Sequence, residues 1–186
     1  MTARLGRLLT CALIALSGAV TLAAGIEAGR VDEYRVKAAF LFNFARVVEW
    51  PADTFRHASA PLTMCVLGVD PFGALLEQEL QRHATGRPIT TRRISQIEPG
   101  CHLVFISGSE RKRLSVLVDA LRSAHVLTVS EEEGFGRVGG MIELFTDGDS
   151  VRFNIYPDEV ERAGLRASSK LITLAANQRH AGGGRR

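Results

Sequence analysis

Six residues, Gly134-Phe135-Gly136-Arg137-Val138-Gly139, fit the G-x-G-x-x-G spacing that cradles a dinucleotide pyrophosphate, and three carboxylates, Glu131 to Glu133, run directly into them. That chemistry requires the glycines to join a strand to a helix whose N-terminal N–H groups receive the phosphates. Here a strand-like segment starting at Met141 follows and an acidic run precedes, so no helix N-terminus is at hand and like charge repels phosphate. The spacing instead predicts a loop entering a hairpin, with glycines at positive φ, and Glu131 to Glu133 read as a solvated part of it. The histidines His57, His83, His102, His125 and His180 show no metal-ligand spacing and no acid at a helical interval. No G-x-S-x-G elbow, P-loop or paired-carboxylate signature occurs. No catalytic, cofactor-binding or metal-binding residue is assigned.

The remaining reactive side chains are Cys11, Cys65 and Cys101. Arg4 and Arg7 precede an uncharged apolar run from Leu8 to about Ala24 that ends in small residues, so residues 1–24 read as a cleaved secretory signal peptide. An uncleaved anchor is the alternative, because the uncharged stretch to Ile26 is just long enough to span a bilayer; Ser17, Gly18, Ala23 and Ala24 dilute it and favour cleavage. Cys11 leaves with the leader. Cys65 and Cys101 then form an even pair in an oxidising compartment, which suggests a disulfide, with two buried free thiols as the alternative. No basic cluster stands beside either in sequence, although His102 directly follows Cys101.

Charge excludes one further class. Removing Arg4 and Arg7 from the 23 Lys and Arg leaves 21 basic against 20 acidic residues. Arg185 and Arg186 end a Gly182–Gly184 tail, and residues 179–186 read as disordered. The formal charge of +3 is therefore no argument for nucleic-acid binding. With 46% hydrophobic and 23% charged residues, the rest is an ordinary compact domain, placed at residues 31–178.

The elements follow from periodicity. Val36, Phe40, Phe44 and Val47-Val48 recur at helical spacing between Val31 and Trp50, and Pro51 stops that helix; the aromatics read as core. Leu62 to Gly68 reads as a strand, and Asp70-Pro71 as the N-cap and first residue of a helix carrying Leu75, Leu76 and Leu80. Pro88 to Ile94 alternates like a strand with one wet face. His102 to Ser107 is an apolar strand, after which Ser107-Gly108-Ser109-Glu110 has the capping-box pattern of a helix through Leu114, Leu117, Val118 and Leu121. Val126 to Val129 is a strand. Met141 to Phe145 and Val151 to Tyr156 form a hairpin about Asp147-Gly148. A short helix at Asp158 to Ala163 and a last one from Ser168 or Ser169 through Leu171, Leu174 and Ala175 complete the chain. The expected fold is α/β: one domain, a central mixed β-sheet flanked by helices, with a C-terminal β-hairpin followed by a helix.

Taken in order, several blocks resemble the YfiR family of periplasmic regulators. They are Val36-Lys37-Ala38-Ala39-Phe40-Leu41-Phe42-Asn43-Phe44 with Glu49-Trp50-Pro51, Cys65-Val66-Leu67-Gly68 with Asp70-Pro71-Phe72-Gly73, and Gly86-Arg87-Pro88-Ile89. Cys101-His102, Phe105-Ile106-Ser107, Leu127-Thr128-Val129-Ser130, Gly139-Gly140, Arg152-Phe153, Ala163-Gly164-Leu165 and Ser168-Ser169-Lys170-Leu171 continue the match. The resemblance implies a small, often homodimeric α/β domain that brakes an inner-membrane diguanylate cyclase by binding its periplasmic region. An OmpA-like outer-membrane lipoprotein releases the brake by sequestering the regulator. Cys65 and Cys101 look like the family's structural disulfide, whereas the second disulfide some relatives carry near the Gly-rich loop has no counterpart here. The family's partner-facing surface, on the hairpin and C-terminal helices, corresponds to Ile142, Asn154, Val160 and Gln178; Ile142 and Val160 are equally readable as core.

Three readings follow: an inhibitory interaction protein, a periplasmic small-molecule sensor acting on a membrane receptor, and an enzyme with dispersed catalytic residues. The first requires an exposed apolar patch, the second an enclosed ligand pocket, the third convergent polar groups of perturbed acidity.

Overall fold

The computed structural model describes residues 29–57, 59–82 and 86–177. The signal peptide expected over residues 1–24, Gln178 and the tail expected over 179–186 lie outside the described residues. None of the helices described is long and apolar enough to cross a membrane.

Helix α1 occupies residues 29–47 and passes into β1, Val48–Glu49. Strand β2, Leu62–Leu67, is followed by α2, Leu75–Arg82, and β3, Ile89–Ile94. Then come β4, Leu103–Ile106; α3, Leu114–Leu121; β5, Leu127–Ser130; and the hairpin of β6, Ile142–Asp147, and β7, Ser150–Ile155. The chain closes through α4, Pro157–Arg162; β8, Arg166–Ala167; and α5, Ser169–Leu174. The six-stranded sheet runs β3-β2-β4-β5-β6-β7, parallel throughout except for β7, which pairs antiparallel with β6. A second, two-stranded sheet pairs β1 with β8.

Continuous apolar runs are what a sheet covered on both faces demands, and the pleat sorts them. Leu62, Met64 and Val66 of β2, with Leu103, Phe105, Leu127, Val129, Ile142 and Leu144, enter the larger core beneath α1, α2, α4 and α5. Cys65, Leu67, Val104 and Ile106 point the opposite way, into a smaller core closed by α3 and Phe135. Each such side chain contributes about 1.5–3 kcal/mol by leaving water. Cys65 and Cys101, on β2 and immediately before its neighbour β4, are joined as a disulfide with Cα atoms 5.8 Å apart.

The observed fold is the expected one, with local differences that have physical causes. α1 stops three residues before Trp50, because Val48 and Glu49 pair with Ala167 and Arg166 of β8. Asp70 does not cap a helix: its Oδ1 accepts from the Phe72 N–H at 2.8 Å, closing a turn that delays α2 to Leu75. Ser107 caps as expected, but it caps a 3-10 turn, Gly108–Arg113, ahead of α3, and Glu110 pairs with Arg113 instead of reaching back. The hairpin turns about Gly148 and Asp149, one residue later than Asp147-Gly148, since Asp147 pairs with Ser150. Gly134 and Gly139 take φ of 79° and 90° around a 3-10 turn, as the loop reading requires.

Candidate partner-binding groove

In an open sheet whose strand order reverses between β2 and β4, a ligand would ordinarily occupy the crevice beyond their carboxyl ends. Here that crevice is filled by the chain itself. The Val69 N–H donates to Ser109 Oγ at 3.0 Å, and a Cβ on Gly68 would meet Ser109 Oγ at 2.4 Å and Glu110 at 2.9 Å. The loops after β2 and β4 thus pack on each other, and concave surfaces lie elsewhere: at the two edges of the sheet, and in a hollow of about 610 Å³ lined by Pro157, Glu161, Arg166 and Ile172 of α4, β8 and α5.

At the β7 edge, α1 is fixed in place by a partly buried polar network. Lys37, only 4% exposed, sets its ammonium 2.5 Å from Glu33 and 2.6 Å from Glu131. The Tyr34 hydroxyl donates to the same Glu131 carboxylate at 3.0 Å, and burial, aided by that carboxylate, pushes its pKa up. The hydrogen bond from Lys37 holds Glu33 below the usual carboxylate range, and Glu33 also accepts from Thr146 of β6 at 3.0 Å. The Tyr34 ring meets Phe72 edge-on, and Phe72 in turn meets Phe105. One turn of α1 is thereby tied to the loop after β5, to the hairpin and to the core.

Anchored in this way, α1 carries two apolar stripes. Ala38, Leu41, Ala45 and Val48 are buried in the core. Val36, Phe40, Asn43 and Val47 form a second stripe at i, i+4, i+7 and i+11, with Val36 45% and Val47 39% exposed. Phe40 stacks on Phe44 and meets Phe153 of β7 edge-on, with centroids 5.7 and 5.5 Å apart. Between this stripe, Phe153 and Leu171 and Leu174 of α5 runs a largely apolar groove of about 290 Å³. A second hollow of about 300 Å³ shares Phe40, Phe153 and Leu174 with it and extends along β7 to Ser150. Leu174 is 48% exposed. The wall is a sheet edge: the N–H and C=O of Ile155 are taken by the Asn177 side chain at 3.2 and 2.6 Å, and Phe153, two residues earlier, stands on the same outward side beside the groove. An exposed apolar groove with a polar border is the form a reversible protein contact takes.

A family model described as YfiR/HmsC-like matches residues 34–176, most of the chain. The chain belongs to the YfiR/HmsC-like family. Membership points to a periplasmic regulator of cyclic di-GMP signalling, and the Cys65–Cys101 disulfide fits an oxidising compartment. In this YfiR/HmsC-like chain the four partner residues inferred from the family fall in different places. Ile142 and Val160 are both 0% exposed in the larger core, so their side chains are structural in the folded monomer and the surface reading of these two is corrected. β5 and β7 flank Ile142, and α4 carries Val160 inward. Asn154 is half-buried on β7, opposite Glu143 and beside Tyr156, whose hydroxyl donates to Glu143 at 3.3 Å. Gln178 lies outside the described residues. The groove beside β7 and α5 is an exposed apolar surface among the described residues of the hairpin and C-terminal region. Leu171 of α5 and Ala175 at its C-cap, one turn apart, are buried, and Leu174 falls off that stripe. The signal in sequence was the second α1 stripe, which one core face does not need.

Proposed function

We propose that this protein restrains an inner-membrane diguanylate cyclase by direct contact with its periplasmic region, and so lowers cyclic di-GMP. In this reading the protein acts by binding, without catalysis, and an OmpA-like outer-membrane lipoprotein competes for it. The single observation that supports the reading is the groove between α1, β7 and α5 in a member of this regulatory family. Val47, Leu174 and Phe40 supply apolar anchors, and the β7 edge supplies main-chain groups for an extended partner segment. The test is binding of the purified protein to the isolated periplasmic region of the cyclase. Leu174→Asp and Val47→Asp, both at exposed positions, are expected to weaken it by about tenfold or more while leaving the thermal melt unchanged. Unaltered binding by both variants removes the groove from the account.

A further inference from the structure

At the opposite edge of the sheet, beside β3, a second cavity of about 380 Å³ is walled by Arg46, Glu49, Trp50, Phe55 and Arg87 over a floor of Leu62. Among the described residues neither Arg46 nor Arg87 has a carboxylate partner, although most of the other described arginines do. Arg87 is nonetheless held rigidly: its guanidinium lies 3.7 Å from the centroid of the Phe55 ring, the other face of Phe55 stacks on His102, and Nη1 donates to the Ala60 carbonyl at 2.5 Å. One of its five donors is thus engaged, and the edge of the planar fork remains available for a bidentate acceptor. Arg46, whose guanidinium lies 5.5 Å from the Phe42 ring, brings its Nη2 beside Gly86, the residue preceding Arg87. The indole Nε1 of Trp50, in the same wall, is buried with no acceptor, and a buried donor without a partner is costly. Glu49, the acid in the lining, stands on exposed β1 and leaves the cavity with one net positive charge.

We propose that this cavity is a binding site for a small organic monoanion, a carboxylate on a flat apolar body. The carboxylate bridges Arg46 and Arg87 and the body lies along Trp50 and Leu62, against the edge of Phe55. This goes beyond the partner-binding reading, involves the other edge of the sheet, and stands or falls separately from it. Trp50 is the single tryptophan of the chain, so its fluorescence reports the site directly. Benzoate is the probe, titrated into the purified protein, with acetate in parallel. A saturable change with benzoate, weaker by about tenfold in Arg46→Gln and in Arg87→Gln at unchanged circular dichroism, is the expected result. Arg46 lies on the exposed side of α1, so its variant remains informative if Arg87→Gln does not fold. The proposal is overturned by a signal that never saturates, by equal affinity in the Arg46→Gln variant, or by acetate binding as tightly as benzoate.

Discussion

Single residues tie the elements together through charges held out of water. Lys37 is the clearest case, because its buried ammonium serves Glu33 and Glu131 at once. Lys37→Ala leaves Glu33 and Glu131 without their counter-charge, and is expected to cost about 2–3 kcal/mol, the partial exposure of the two acids keeping it below the value for a fully buried pair. A urea midpoint shift measures it. Arg93 plays the same part between α2 and β3: its guanidinium donates to Glu77, to Asp70 Oδ2 at 2.9 Å and to the Gly73 carbonyl at 2.6 Å. That guanidinium holds Glu77 down at about 2, below the ordinary carboxylate value of 4.5. A carboxylate with a depressed folded-state pKa adds stability above its unfolded value, which is lost as pH falls from about 4.5 towards 2. Glu77→Gln should therefore flatten the acid limb of the stability profile and leave its slope near neutrality alone. Because this carboxylate is partly in solvent, the difference should shrink in high salt.

Among the elements, the disulfide and the two stripes of α1 have separate consequences. The bridge closes a 36-residue separation that includes α2 and the edge strand β3. In the chain-entropy account its removal costs about 3–4 kcal/mol, so Cys65→Ala is expected to lower the melting temperature, as is reduction of the wild type. An unchanged melt would contradict a structural role. The strands of the six-stranded sheet and their order along the chain were legible in the sequence because β2, β4 and β5 are short, mostly apolar runs, whereas the two-residue strands β1 and β8 were not. The element ends were not, since long-range partners set them: β8 draws Val48 and Glu49 out of α1, and the Asp70 turn displaces the start of α2. The groove was half legible. Val36, Phe40 and Val47 announce an apolar face, yet helical spacing alone cannot say whether a neighbouring element covers it. Burial of Ile142 and Val160 depends likewise on strand neighbours and on the path of α4.

For the whole molecule, the arrangement separates two edges of one rigid sheet. The β7 edge carries the exposed groove, the β3 edge the cation-lined cavity, and α1 borders both. Parallel strands with both faces covered leave the edges as the places where this fold can meet another molecule. The central claim is that such a meeting restrains a cyclase. The most direct measurement is the cyclic di-GMP level of the native host with and without this gene, complemented by the wild-type protein or by Leu174→Asp. The account predicts a rise on deletion that the wild type reverses and Leu174→Asp, exported and folded to the same level, does not. An unchanged level on deletion, under conditions where the protein is made, would contradict it.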